Sequence, residues 1–461
     1  MIVDVSQYRS FCFRGEGKAN VVISGKHRQT GERIVWRFAK QRKSKSGELT
    51  CKKKSEVAGV YMEKMMAPLL DDHFLVQPTT VEMLVGHVHQ LAKLPSLPEN
   101  VKMESLADLE AEPEELSRLK LASVTPEMKT ILCLQMIDAT CIPKRFTTLP
   151  DRSTVTLEIK PKQGYYQNHK GIDLPYCNNC ILQIEKCSGE EQTYDSMYDF
   201  CPLALFSHDE ELQRHALESL IDDPHRNLRV FLDGTTILSE KNTLSRKELE
   251  KMVFKDGEAT IDDLLDGVLA VLNVRGLAKG GSIISNRRST DGGHDQRNGH
   301  EGREDSPSSL SLLDQLLAGQ KLDELGIVGA HDLFVELKKE DKDVADKLGR
   351  KEQSAVGLDF LHDGTRFAKM KRYFLAATLK DCSVMISLRL LDEGETVDEL
   401  VEGSEMIPLP NGKRFAYLAK IVDLDPKSPK NMFSAYKRLQ EGAERLKKDR
   451  SLRKPCPIES I

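Results

Sequence analysis

Apolar positions fall in short clusters along the chain, and their period switches between two and about three and a half. Val21-Val22-Ile23 and Ile34-Val35-Trp36-Arg37-Phe38 are β-branched and aromatic runs with a turn at Ser24-Gly25 or near Thr30-Gly31 between them, which predicts a hairpin. Residues 40–54 are basic and read as a solvated loop. Across residues 56–70, Val57, Val60, Tyr61, Met65 and Leu69 keep helical spacing, and Pro68 marks the expected stop because its nitrogen cannot donate. Residues 154–160 alternate as a strand ending at Pro161, and residues 228–232 form another, closed by Asp233-Gly234. Residues 383–387 and 415–422 complete the strand set, the last delivering Asp423 and Asp425 at its end. Helical patterns occupy residues 214–220, 245–253, 261–272, 367–377 and 433–447. Residues 92–126, charged and leucine-rich with four prolines, fit short helices or an insertion. Residues 128–136 are more apolar and return the chain to the core. Residues 280–310 are polar with almost no apolar anchors, so a mobile loop is expected there.

The pattern mixes strands and helices without a repeat, and 461 residues suffice for one large two-lobed fold or two to three domains. A net charge of -5 gives no reason to expect nucleic acid or an anionic membrane as partner. No apolar run approaches the roughly 18–20 residues of a membrane span, so no span is expected and the expected home is cytoplasm, nucleus or both. Ten cysteines in a chain of this length form no dense disulfide framework and are expected to be reduced.

Candidate chemistry begins at Arg14-Gly15-Glu16-Gly17-Lys18-Ala19-Asn20, just before the first apolar run. Glycines there would let backbone N–H groups approach phosphate oxygens, although an isolated Gly-x-Gly is most often a plain turn. Arg37, on the next strand, carries a charge that never titrates away, and Glu56 is one candidate to orient it. Glu158-Ile159-Lys160-Pro161-Lys162 sets two lysines near a strand exit, suited to separate phosphates of a compact polyanion; a solvated Lys-Pro-Lys surface is the plainer alternative.

Taken in order, Arg14-Gly15-Glu16-Gly17-x-x-Asn20, Glu158-Ile159-Lys160-Pro161-Lys162-x-Gly164, Lys380-Asp381-Cys382-Ser383-Val384-Met385-Ile386 and Asp423-Leu424-Asp425-x-Lys427 resemble inositol-pentakisphosphate 2-kinases. Cys201-Pro202-Leu203-x-Leu205-Phe206-Ser207 and Asn227-Leu228-Arg229-Val230-Phe231-x-x-Gly234 look like further pieces of that family. The resemblance implies an α+β, bilobal inositol polyphosphate kinase fold distantly like protein kinases. Its N-lobe would be residues 1–140, with an antiparallel sheet and the nucleotide phosphate loop. Its α/β C-lobe would be residues 141–461, with the inositol phosphate and magnesium sites. ATP would be the phosphate donor, Mg2+ the cofactor, and inositol 1,3,4,5,6-pentakisphosphate the acceptor, phosphorylated at its 2-hydroxyl to phytate. A monomer is expected.

By the same resemblance, Gly15, Glu16, Gly17, Lys18, Ala19 and Asn20 cover the nucleotide phosphates and Arg37 touches them. Asp381 takes the place of the group that receives the hydroxyl proton, with Lys160 beside it in the catalytic set. Lys160, Lys162, Lys380 and Lys427 would hold acceptor phosphates, and Asn227 adds a weaker contact. Asp423, assisted by Asp425, would bind magnesium through hard oxygen ligands. The chain departs from the family at Ala204, where an acid is usual, and at Asn431, where an arginine is; Lys430 is the candidate to replace that charge. A kinase of another inositol phosphate, or a scaffold that binds polyphosphate without turnover, is the competing reading. Separately, Cys177-x-x-Cys180 with Cys201 has the spacing of a partial zinc site. His169 could complete it and Cys187 is the rival, while buried reduced thiols are the plain alternative.

Overall fold

Alternating apolar residues near the N-terminus build a five-stranded antiparallel sheet in order β1-β2-β3-β5-β4. Its strands are β1 (Tyr8–Glu16), β2 (Asn20–His27), β3 (Arg33–Ala39), β4 (Thr79–Leu84) and β5 (Thr130–Ile137). The computed structural model describes residues 1–17, 20–39, 50–97, 101–109, 129–142, 152–188, 197–255, 257–275, 310–355, 357–397, 400 and 404–458. The expected loop at 280–310 lies outside the described residues apart from Leu310, as do Lys18 and Ala19 and most of the 92–126 stretch. The predicted hairpin is β2–β3, and β1 pairs along its outer side with register shifts. Polar Arg9 and Ser10 interrupt β1's alternation, which hid that strand. Phe11, Val21, Ile23, Trp36, Phe38, Val81 and Met83 form this sheet's own core.

Helix α1 (Thr50–Tyr61) packs on β3, β4 and β5. It starts earlier than its apolar pattern suggested, because Lys52-Lys53-Lys54 are good helix formers on an otherwise polar turn. It ends in a wide turn at Met62–Met66, ahead of Pro68. From Tyr61 to Leu75 the buried side chains join the larger, second core, so this stretch fastens the two sheets together.

That second core surrounds a six-stranded antiparallel sheet in order β10-β11-β9-β6-β7-β8. Its strands are β6 (Val155–Ile159), β7 (Leu228–Leu232), β8 (Thr235–Leu238), β9 (Ser383–Leu390), β10 (Glu405–Pro408) and β11 (Arg414–Val422). The central strands β6 and β9 are buried almost throughout, their polar Thr156, Ser383, Ser387 and Arg389 included. Helix α2 (Asn178–Ser188) lies against the long C-terminal helix, α3 (Pro429–Lys448). Ile261–Asn273 covers the faces of β9, β10 and β11, and Arg366–Leu379 leads directly into Lys380 and Asp381. Both helices carry an N-terminal hydroxyl, Thr260 and Thr365, accepting from the first turn. No helix among the described residues is long and apolar enough to cross a membrane.

The chain passes from one sheet to the other through residues 138–142, and buried hydroxyls fix that crossing. Thr156 Oγ1 donates to Thr140 O at 2.9 Å, Ser387 Oγ to Ala139 O at 2.8 Å, and Ile142 N donates to Thr154 Oγ1 at 3.3 Å. Asp138 accepts from Ser24 Oγ at 2.6 Å, Thr140 N at 3.1 Å and Arg14 Nε at 2.8 Å. Burial alone would raise its pKa; Arg14 and these hydrogen bonds outweigh that and hold it at about 2.

Candidate functional site

Strand register gathers the candidate residues at one edge. Ile159 lies opposite Val384, Val384 opposite Ile421, and Ile159 opposite Leu228 on the other side. Lys160 therefore leaves β6, Asp381 precedes β9, Asp423 follows β11 and Asn227 precedes β7, all at the same end of four neighbouring strands. Two of the residues at that edge hold strained backbones: Lys162 at φ 62° and Asp423 at φ 61°. The left-handed region disfavours a lysine by about 1–2 kcal/mol, so its occupation at a charged, partly exposed turn marks a position shaped for its side chain.

Asp381 lies between two ammonium groups. Lys162 Nζ donates to Asp381 Oδ1 at 3.1 Å, and Lys427 Nζ donates to Oδ2. Burial pushes the Asp381 carboxyl up, but the two lysines prevail and hold it well below the ordinary carboxylate range. Lys160 Nζ stands 3.9 Å from Asp423 Oδ2, a long contact that leaves half of the Asp423 side chain open to solvent. Lys160 is also pinned from behind, its backbone N donating to Asn227 O at 2.8 Å. Asn227 itself is buried at the start of β7, its own N donating to Pro224 O at 3.0 Å.

The first sheet reaches the same edge from above. Arg37, opposite Val22 on β3, grips both carboxylate oxygens of Asp425, with Nη1 at 2.9 Å from Oδ1. Asn20 Nδ2 approaches Asp425 Oδ2 at 3.5 Å. The acid that orients Arg37 is thus Asp425, 388 positions away, in place of the exposed Glu56. Burial raises the Asp425 carboxyl; Arg37 more than offsets this and lowers it. Gly15 pairs with Val22 and Gly17 N donates to Asn20 O at 2.9 Å, which closes the turn over this edge, with Glu16 and Gly17 exposed.

One sequence candidate turns away from this edge. Lys380 Nζ turns inward to the buried Asp323 at 2.7 Å and lies 5.1 Å from the Tyr165 ring centroid, so it is corrected from a substrate contact to an internal anchor. A buried ammonium needs its carboxylate, and releasing it toward a ligand would strand Asp323. Lys430 is exposed on the first turn of α3, and Asn431 serves that helix as the partner of Ser428 in a reciprocal cap.

The sulfur cluster also departs from expectation. Cys177, Cys180, Cys201 and Cys456 bring their Sγ atoms within 4.8 Å of one another, and Cys180 and Cys201 are 3.9 Å apart. A zinc–sulfur bond of about 2.3 Å sets tetrahedral sulfurs about 3.8 Å apart, so the donor set fits a four-thiolate zinc site. His169 is corrected out of it: its Nε2 faces Asn178 Oδ1 at 2.6 Å. The fourth sulfur arrives because the tail after α3 folds back, with Cys456 N donating to Pro175 O at 3.0 Å. Cys201 is pushed down by Cys177, Cys180 and Cys456, as expected where one sulfur of a packed set ionises first. Arg453, bonded to Tyr198 O at 2.7 Å, lies close enough for the cysteines to raise its own pKa against the effect of burial.

A glycine turn and an arginine on one sheet thus face lysine-paired carboxylates on the other. The sequence profile of the inositol-pentakisphosphate 2-kinase family matches residues 13–441, and the chain belongs to that family. Its relatives include the inositol-pentakisphosphate 2-kinase of Arabidopsis thaliana, 24% identical over 95% of this chain and 93% of the relative. That of Danio rerio is 25% identical over 69% and 74%, and one from Oryza sativa subsp. indica is 27% identical over 62% and 58%. The protein is accordingly an enzyme, a kinase whose kind of reaction is ATP-dependent phosphorylation of inositol pentakisphosphate to the hexakisphosphate.

The turn itself offers a test. A Cβ built on Gly17 meets no described atom within 4 Å, so the fold does not require glycine there. Gly17→Ala should melt within about 1 kcal/mol of the parent, since alanine also restricts the unfolded chain. A methyl facing nucleotide phosphates would raise the ATP KM about tenfold, a change of ~1.4 kcal/mol. An unchanged ATP KM would remove the turn from the nucleotide site.

Proposed function

We propose that the shared strand edge is the phosphoryl-transfer centre, with the five-stranded sheet as an N-lobe and the six-stranded sheet as the heart of a C-lobe, in a bilobal, kinase-like arrangement. The observation that carries this reading is the Lys162–Asp381–Lys427 cluster beside Lys160 and Asp423. Three lysines there face two acids, a net positive edge suited to a polyanionic acceptor. ATP lies with its phosphates beneath Gly15–Gly17 and beside Arg37. Asp423, half open and already at a cation's distance from Lys160, suits a magnesium ligand better than Asp425, whose two oxygens are taken by Arg37. A magnesium ion there would offset charge on the transferred phosphoryl group.

Asp381 orients the acceptor 2-hydroxyl and receives its proton. The hydroxyl oxygen bonds to the γ-phosphorus as the bond from that phosphorus to the β,γ-bridging oxygen breaks, leaving ADP. A carboxylate held this acidic accepts the proton late, once the attacking oxygen has lost most of its basicity to phosphorus. Acceptor phosphates draw Lys162 and Lys427 away from Asp381, which restores basicity when the substrate is present. Lys160 neutralises charge between the donor and acceptor phosphates.

A structural zinc ion on Cys177, Cys180, Cys201 and Cys456 belongs to the same reading, remote from the transfer step. The enzyme works as a monomer in cytoplasm or nucleus. Product analysis with purified inositol 1,3,4,5,6-pentakisphosphate, ATP and magnesium tests the assignment. Hexakisphosphate formed in step with ADP is expected, and an unphosphorylated 2-position with ATP still consumed would point to another inositol phosphate as acceptor.

A further inference from the structure

Arg14 stands one residue before the glycine turn, yet its side chain runs into the buried junction between the sheets. It is nearly sealed, with 3% of its side chain exposed against 1% for its partner Asp138. Three parts of the molecule meet on it. Through Nε it holds Asp138 at 2.8 Å, at the start of the crossing segment. Through Asp138 it shares Ser24 of β2, bonded at 2.6 Å. Through Nη1 it donates to the backbone carbonyl of Gly234, in the turn between β7 and β8 on the second sheet.

The turn is built to receive it. Asp233 and Gly234 both have positive φ, 48° and 79°, the tight form an Asp-Gly pair favours between two strands. A Cβ on Gly234 would collide with the guanidinium, so glycine is needed for close approach as well as for its backbone angle. Asp233 is tied in turn to β6, its Oδ1 accepting from Thr154 N at 2.9 Å and its N donating to Thr154 O at 2.9 Å. Nη2 of Arg14 is buried with no hydrogen-bond partner among the described residues. Charge neutralisation alone does not call for a guanidinium at this point. A lysine would pair with Asp138 but, with one nitrogen, would not span from Asp138 to the Gly234 carbonyl.

We propose that Arg14 is a positioning residue for the nucleotide: by joining the root of the glycine turn to the β7–β8 turn across the crossing segment, it holds the turn at a fixed height above the strand edge. The inference rests on the reading of Gly15–Gly17 as the nucleotide phosphate turn. Phosphate binding through backbone N–H groups depends on sub-ångström placement, and a turn anchored only at its own sheet would follow every tilt of that sheet.

The test compares Arg14→Lys with Ser24→Ala, which also weakens the buried cluster but leaves the span to Gly234 intact. MgATP affinity is read by calorimetry on the full chain without acceptor, so the result stands whatever the acceptor proves to be. Arg14→Lys should lose about tenfold in ATP affinity, with acceptor affinity held within twofold. Ser24→Ala should stay within twofold for both ligands. Equal losses in the two variants, or an Arg14→Lys affinity within twofold of the parent, overturn the proposal. Hydrogen exchange on the unmodified protein gives a second arm that needs no variant: MgATP should protect residues 14–17 and 232–236 together. Protection of 14–17 with none at 232–236 overturns the coupling, whereas no protection at 14–17 overturns the nucleotide-turn assignment beneath it.

Discussion

Asp381→Asn should lower kcat by about a thousandfold while leaving MgATP affinity unchanged and acceptor affinity undiminished. General-base assistance is worth roughly a hundredfold to ten-thousandfold, and the asparagine keeps the shape of the carboxylate without its capacity to take a proton. Acceptor binding is preserved because Lys162 and Lys427, paired to Asp381 in the absence of ligand, are released to the phosphates by the substitution. The same pairs set the pH sign for stability. A carboxylate whose folded pKa is depressed stabilises the fold above its unfolded value near 4, and that contribution is lost as pH falls through the lower, folded value. Because 54% of the Asp381 side chain is exposed, screening keeps the contribution to no more than about 1 kcal/mol, and the variant should melt close to the parent. Product formation under saturating substrates, with calorimetry for each ligand, separates the effects. Turnover within tenfold of the parent would take the proton-accepting role from Asp381; a thousandfold loss with equally weakened ATP binding would mean the edge had been distorted instead.

The elements of the second sheet were legible because β-branched and aromatic residues are dense in β9 and β11 and alternate with polar ones in β6, with acids and lysines at the strand ends. What sequence could not carry was pairing across distance. Arg37 and Asp425 are 388 positions apart, and nothing local distinguishes Asp425 as an arginine's partner from Asp425 as a metal ligand. Lys380 misled for a related reason: its neighbour Asp381 faces the open edge, while its own ammonium follows the end of the preceding helix inward to Asp323. Short edge strands such as β8 and β10 have four residues each, too few to show a period. Arg14 was visible only as the first letter of a glycine motif, since its function as a bridge depends on the Gly234 carbonyl, a backbone atom that no side-chain pattern encodes.

Cys456 shows the same limit, and carries the second large effect. The purified enzyme should hold about one zinc per chain, and Cys456→Ser should release it. A complete set of four thiolates binds with apparent free energies of about 10–16 kcal/mol in small zinc modules, and that free energy is folding free energy wherever the apo site is unformed. Here the ion would join α2 and the segment around Cys201 to the returning tail, which is otherwise held by hydrogen bonds such as Tyr176 Oη to Arg453 O at 2.9 Å and by the Arg453 contacts. Losing one ligand should therefore loosen residues 449–458 and α2 first, seen as faster amide exchange, with a stability loss of several kcal/mol. Turnover should change little at temperatures below that local opening, because none of the four cysteines belongs to the strand edge that carries Asp381 and Asp423. His169→Ala sharpens the comparison: with its Nε2 directed to Asn178, it should leave zinc content untouched. Metal-free protein with Cys456→Ser no more than about 1 kcal/mol less stable would identify the four sulfurs as packed thiols, since deleting one small buried sulfur contact is worth no more than that.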